Sequence, residues 1–176
     1  MAAHASLSIA DADIADALDF TRFADTMASL ASTVCVATAA LGGERYGRTV
    51  TAVTSLSPQP PTLLVSITRD SDLARLITRT GRFSLSLLAE GQQAVGDAFA
   101  GKGEVADRFG IGQWETWPSG QPRLKGAASS IECKLAGSIE LDTRCVFIGL
   151  LVGAESGGTP PLLWYERGYR SLAQKA

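Results

Sequence analysis

The sequence predicts a mainly β fold, a closed or nearly closed antiparallel barrel with helices at its periphery. Three observations predict it. Short alternating or β-branched apolar runs outnumber helical patterns, glycine and proline clusters join those runs at hairpin distance, and 176 residues with 45% apolar content supply one sizeable core. No internal repeat or low-complexity linker divides the chain. Residues 1–15 read as a flexible N-terminal arm and residues 16–176 as one domain.

The elements follow in order. Over residues 16–31, Phe20, Phe23, Ala24, Met27, Leu30 and Ala31 share one helical face, which predicts a helix covering a sheet. "STVCVATAA" places Val34 and Val36 in alternation, and Gly42-Gly43 marks a hairpin turn into a strand that contains "GRTVTAVTSLSPQPP". Pro58, Pro60 and Pro61 interrupt pairing before "TLLVSIT", a nearly continuous apolar run that predicts a strand buried on both faces. In "RDSDLARLITRTG", Asp70 or Ser71 can cap a short helix whose apolar face is Leu73, Leu76 and Ile77, and Gly81 can end it. "RFSLSLL" then turns Phe83, Leu85 and Leu87 inward and Ser84 and Ser86 outward, and "EGQQAVGDAFAG" predicts another short helix. Residues 101–126 read as a loop rich in Gly, Pro and Trp. Strands are expected over 128–141 and 144–153, and Trp164, Tyr165 and Tyr169 crowd the last segment.

Composition removes several function classes. A formal charge of −2 and a pI near 5.4 give no attraction to phosphate backbones, so nucleic-acid binding is not expected. The N-terminus lacks a basic start and apolar core, and no run of about 18 apolar residues occurs, so a soluble, cytoplasmic protein without a membrane role is expected. Cys35, Cys133 and Cys145 have no metal-ligand spacing and read as small buried apolar residues. His4 is the only histidine and falls in the arm. Ser-His or Cys-His nucleophilic chemistry and a multi-histidine metal site are therefore not expected, and no paired acidic motif supports hydrolysis.

The hydroxyl-rich stretch is the main candidate site. On one strand, Thr49, Thr51 and Val53 face one way and Val50, Ala52 and Thr54 the other. Threonine's β propensity alone accommodates such a stretch as a solvent-facing strand. Arg48 heads it, however, and Thr68, Arg69 and Ser71 gather at a helix N-terminus, where backbone N–H groups and the helix dipole favour an anion. Together these groups suit a phosphorylated ligand.

The chain also resembles a known family, the short-chain flavin reductases of the split-barrel FMN-binding class, which supply reduced flavin to two-component monooxygenases. The resemblance spans about residues 20–172. It rests on the order and spacing of "FADTMASLASTVCVAT", "GRTVTAVTSLSPQPPTLLVSITRDS", "GRFSLSLLAEGQQAVGDAFAGK", "RF" at Arg108-Phe109, "LKGAASSIECKL", "FIG" at 147–149 and "PLLWYERGYRSL". It implies a split antiparallel barrel whose strand at Arg48, Thr49, Val50, Thr51, Ala52, Thr54 and Ser55 lines FMN or FAD. It further implies that Ser66, Ile67, Thr68, Arg69 and Ser71 continue toward the phosphate and that Phe99, Ala100 and Lys102 complete the site. Core packing is the competing reading for Phe99, capping or packing for Arg108 and Phe109, and a rim or dimer contact for Trp114 and Trp117.

The implied reaction carries hydride from the nicotinamide C4 of NADH or NADPH to flavin N5, and it assigns no catalytic side chain and no metal. Two positions depart from the family pattern. Arg144 stands where many relatives carry a histidine near the nicotinamide, and Ser86 stands where Asn is common. The resemblance places Arg144, Tyr165 and Tyr169 toward the nicotinamide and implies a homodimer with a flavin-dependent monooxygenase partner. Two other readings stay open: a flavin-binding protein without efficient reductase activity, and a reductase of a bound non-flavin substrate.

Overall fold

A computed structural model of the chain describes residues 2–8, 14–102 and 107–172. The sequence expectations for the rest of the arm, for residues 103–106 of the 101–126 loop and for the last four residues lie outside the described residues. Among the described residues, no helix is long and apolar enough to cross a membrane.

The centre of the fold is an eight-stranded sheet. Its path runs β4 (Glu44–Val50), β3 (Cys35–Leu41), β7 (Arg82–Leu87), β10 (Ser129–Glu140), β11 (Arg144–Ser156), β6 (Pro61–Thr68) and β5 (Val53–Pro58), each pair antiparallel. β1 (Ala3–Ser6) adds to β10 in parallel. The arm is thus not free throughout: Ala3–Ser6 extends the sheet beyond the point where β7 stops pairing. Smaller ladders are β2 (Ser32–Thr33) with β12 (Leu163–Tyr165) and β13 (Gly168–Arg170), and β8 (Trp114–Thr116) with β9 (Pro122–Leu124).

The β3–β4 hairpin turns at Gly42 and Gly43, whose φ values of 61° and 89° suit glycine at a tight hairpin turn. Helix α1 spans Phe20–Ala28, α2 Asp72–Thr80 and α3 Gln93–Ala100. The Asp19 side chain caps α1 by accepting from the Arg22 amide. That cap starts the helix later than the expected residue 16. Ser71 caps α2 by accepting from Ala74, and Gly81 ends it as expected.

Two cores lie on opposite faces of the curled sheet. In the first, Leu73, Ala74, Leu76 and Ile77 of α2 pack on Cys35, Ala37, Ala39, Leu63, Val65, Ile67, Phe83 and Phe147. In the second, Val95, Ala98 and Phe99 of α3 meet Val34, Val36, Leu88, Leu124 and Leu162. β3 therefore carries apolar residues on both faces, one set for each core.

Several expectations are corrected here. The expected covering helix buries no residue: Phe20 is 81% exposed, Phe23 53%, and Met27 and Leu30 are also exposed. α1 instead touches the C-terminal hairpin, through Glu166 N donating to Ala28 O and an Arg167–Asp25 ion pair. β6 buries only one face, Leu63, Val65 and Ile67, while Thr62, Leu64 and Ser66 are partly open. Ser84 and Ser86 are buried rather than outward, because residues 114–124 fold over them as the β8–β9 hairpin. Trp117 Nε1 donates to Ser84 Oγ at 3.0 Å, and the Leu124 amide donates to Ser86 Oγ at 3.3 Å.

Candidate functional site

The two ends of the sheet path are β4 and β5, and only Thr51 and Ala52 separate them in the chain. No ladder joins β4 to β5 among the described residues, so both strands present an unpaired backbone edge beside this link. The expected single hydroxyl strand is consequently two strands with a break. Two main-chain bonds hold the break: Val53 N donates to Thr51 O and Ser66 N donates to Ala52 O, each at 3.0 Å. Free sheet edges offer alternating N–H and C=O groups, the pattern that the rim of a flat heteroaromatic ring can pair with.

Three depressions follow this split. A cleft of about 780 Å³ is lined in part by Thr51, Ala52, Thr54, Ser55, Leu64 and Ser66. A pocket of about 240 Å³ is formed by Val34, Arg48, Thr49, Val50, Thr51, Ala100, Lys102, Trp164 and Tyr169. A third, of about 280 Å³, includes Tyr46, Arg48, Ser71, Arg75 and Arg108. Thr51 belongs to the first two and Arg48 to the last two, so the three lie in sequence as a strip along β4 and its link to β5.

Most of the expected residues meet on that strip. Arg48, Thr49, Val50, Thr51, Ala52, Thr54, Ser55, Ser66, Ser71, Ala100 and Lys102 all line it. Others do not bring a side chain to it. Ile67 and Phe99 are buried in the two cores; Phe99 packs edge-on against Phe109 with ring centroids 5.0 Å apart and lies 5.3 Å from Trp114. Arg69 pairs with Asp70 at 3.3 Å, a contact that favours its charged form, and Thr68 accepts from Arg144.

The hydroxyls are also partly committed. Thr49 Oγ1 donates to Gly96 O at 2.7 Å, while Ser71 Oγ donates to Thr68 O and caps α2. Asp72 binds Arg75 at 2.6 Å, so the N-terminus of α2 already carries its own acid and the expected anion site shifts away from it. The cations instead gather over Gly101. A methyl group built there would meet Arg48 Nη1 at 3.6 Å and Arg108 Nη2 at 3.7 Å. Neither guanidinium has an acidic partner among the described residues. Arg108 belongs to the "RF" pair of the resemblance, with capping or packing as its competing reading and no ligand role assigned; its place beside Arg48 is created by the fold.

The three nicotinamide candidates do not meet in one pocket. Tyr169 walls the 240 Å³ pocket, its hydroxyl donating to Asp97 Oδ1 at 2.8 Å, and burial with this bond raises its pKa. Arg144 lies flat on β6, with Nε 3.1 Å from Ser66 Oγ, Nη2 2.7 Å from Ser66 O and Nη1 3.2 Å from Thr68 Oγ1. Through Ser66 it borders the large cleft. Tyr165 is partly buried opposite Gly168 and lines none of the three depressions. Ser86, the other departure, is buried against β9 and out of reach of a ligand.

The lone histidine finds a serine after all, since His4 Nδ1 lies 2.6 Å from Ser138 Oγ. Ser138 is buried on β10, so this contact fastens β1 rather than opening a reactive centre. Cys35 and Cys133 are also buried, which pushes both thiols up to about 12 and suppresses thiolate chemistry.

A flavin fits this strip on the structure's own terms. Thr51, Ala52, Thr54 and Ser55 are small enough for a flat ring to reach the backbone, the cleft has the volume usual for cofactor sites, and Arg48 and Arg108, with Lys102 paired to Asp97, put positive charge at one end of the strip. Fold and site together define a split-barrel protein built to hold a flavin.

Comparison with known proteins agrees. Residues 27–173 match the family described as "Flavin reductase like domain". The FMN reductase (NADH) RutF of Ancylobacter novellus is 34% identical over 160 residues, covering 90% of this chain and 88% of that protein. The reductase component of the FADH(2)-dependent resorcinol hydroxylase of Rhizobium sp. is 36% identical over 157 residues, covering 88% of each. Among solved structures, the NADH:FAD oxidoreductase SgcE6 of Streptomyces globisporus, in complex with NAD and FAD fragments, superposes with a TM-score of 0.83. It is 26% identical and the match covers 90% of this chain and 95% of that one. The chain belongs to the flavin reductase-like family.

Proposed function

We propose that the chain is an NADH-dependent flavin reductase, with FMN as its preferred flavin, that supplies reduced flavin to a partner oxygenase. The observation that carries this reading is the pair of open edges at Thr51 and Ala52 with cations at one end of the strip. A bound flavin would supply the hydride acceptor, its N5, for the nicotinamide C4. The work of this chain's residues is to orient and to exclude. The edges of β4 and β5 would hold the ring by its rim, and Arg48, Lys102 and Arg108 would hold the phosphate. Arg144, bonded to Ser66 and Thr68, borders the cleft through Ser66, and its remaining N–H groups would be the ones to meet a nicotinamide nucleotide.

The enzyme works in this reading as a cytoplasmic homodimer. The exposed apolar face of α1, with Leu30 continuing it into the rim of the cleft, supports an interface with a second copy. The decisive experiment measures NADH and NADPH oxidation by purified protein without flavin, with FMN and with FAD. Fast oxidation that needs flavin, greatest with NADH and FMN, supports the proposal. Tight flavin binding without oxidation supports a flavin-binding protein instead.

A further inference from the structure

Behind the wall of the 240 Å³ pocket stands a group that an anion site does not call for, a carboxylate that holds the pocket's lysine. Asp97, on α3, is 2.9 Å from Lys102 Nζ and accepts from the Tyr169 hydroxyl with the same oxygen. The ammonium of Lys102 also lies 5.3 Å from the centroid of the Trp164 ring and 5.5 Å from that of Tyr169. Lys102, Trp164 and Tyr169 all line the pocket with Arg48 and Thr49. The bond from Thr49 to Gly96 O fixes the helical turn just before Asp97 to the same wall.

The two bonds to Asp97 differ in character. The Lys102–Asp97 pair is open to solvent, with side chains 57% and 40% exposed, so a competing anion can break it at small cost. The Tyr169 bond joins a half-buried hydroxyl to the helix and survives that exchange. Together they hold the carboxylate ionised, its pKa lowered first by Lys102 and then by Tyr169.

We propose that Asp97 is a positioning residue that competes with the flavin phosphate for Lys102. On this view, which rests on the reductase reading above, flavin binding exchanges one ion pair for another. Affinity is held down and the reduced flavin can leave for its partner. Asp97 does not touch the reacting atoms; it sets how long the flavin stays.

The test is a fluorescence titration of the full chain with FMN and with riboflavin, which lacks the phosphate, for wild type, Asp97→Asn, Lys102→Met and the double variant. Asp97→Asn should tighten FMN by about two- to fivefold, the strength of an exposed ion pair, and leave riboflavin unchanged. Lys102→Met should weaken FMN alone, and Asp97→Asn should bring no gain in its presence. The proposal is overturned if Asp97→Asn weakens both flavins alike or leaves FMN unchanged, or if it still tightens FMN without Lys102. Lys102→Met changes an exposed side chain and keeps the test valid should Asp97→Asn fold poorly; unchanged FMN affinity in that variant overturns the proposal alone. Wild-type protein that binds neither flavin overturns the reductase reading as well.

Discussion

Gly47 is where the fold and the candidate site press most closely on each other. A methyl group added there would lie 2.5 Å and 2.7 Å from two carbons of the Phe99 ring and 3.1 Å from Thr38 Cγ2. Phe99 cannot retreat, because it is fully buried and wedged against Phe109 and Trp114. Overpacking of this kind costs about 1–3 kcal/mol. Replacing glycine returns about 0.4–1 kcal/mol by restricting the unfolded chain. Gly47→Ala should therefore destabilise by about 1–2 kcal/mol, lowering Tm by about 2–8 °C for a chain of this size. Phe99→Leu, which trims the ring, should recover part of that loss, with a coupling of at least about 0.5 kcal/mol between the two sites. Thermal and urea denaturation followed by circular dichroism measure both quantities. Because Gly47 precedes Arg48 and Thr49, FMN affinity should fall in the single variant and partly return in the double. An unchanged Tm in Gly47→Ala, or strictly additive effects, would refute the argument that Phe99 sits directly against the β4 backbone.

Other expectations follow from burial and charge. Cys35 and Cys133, with thiols at about 12, should resist iodoacetamide in the folded protein at pH 8 and react once urea unfolds it; rapid labelling of folded protein contradicts their placement. Phe23→Glu should leave stability within about 0.5 kcal/mol in a monomer, since the side chain is half exposed. If α1 forms the proposed homodimer interface, the same variant should halve the mass measured by light scattering after gel filtration. Asp97 has a folded-state pKa below its unfolded value, so its stabilisation is present above the ordinary carboxylate range and is lost as pH falls through the folded pKa. Asp97→Asn should accordingly be less stable than wild type at neutral pH, and the gap in urea midpoints should narrow on acidification.

What the sequence disclosed depended on how local each feature was. Gly42-Gly43, Ser71 and Gly81 act through neighbouring backbone, and the hairpin and the helix they bound lie where expected. The strand of Phe83 and Leu85 was legible, but the burial of Ser84 and Ser86 was not. It depends on Trp117 and Leu124, more than thirty residues away, which bring partners for both hydroxyls. α1 misled in the opposite sense. Its apolar face is real, yet among the described residues no surface covers it, so periodicity identified the helix and not the surface it would meet. Tyr169 and Lys102 could be picked out by resemblance, but the carboxylate that joins them had no mark in the sequence.

The same contrast explains why residues 48–55 stood out as a candidate site while the other residues of the strip did not. The ends of the sheet path, β4 and β5, are consecutive in the chain, and Val50 and Val53 are three Cα steps apart. That link keeps the two open edges within about 11 Å at their junction, however the remaining strands adjust. The split is therefore held narrow by covalent structure, while its unpaired edges need a partner other than a strand. One contiguous stretch must then line both banks, and its side chains must be small to leave the backbone accessible. The hydroxyl-rich composition from Thr49 to Ser55 follows from that demand more directly than from the bonding capacity of the hydroxyls. Thr49 bears this out: it spends its hydroxyl on Gly96 O, away from any ligand. Charge carries no such constraint, so the cations of the strip can come from β4, from the end of α3 and from Arg108, positions that only the folded chain brings together.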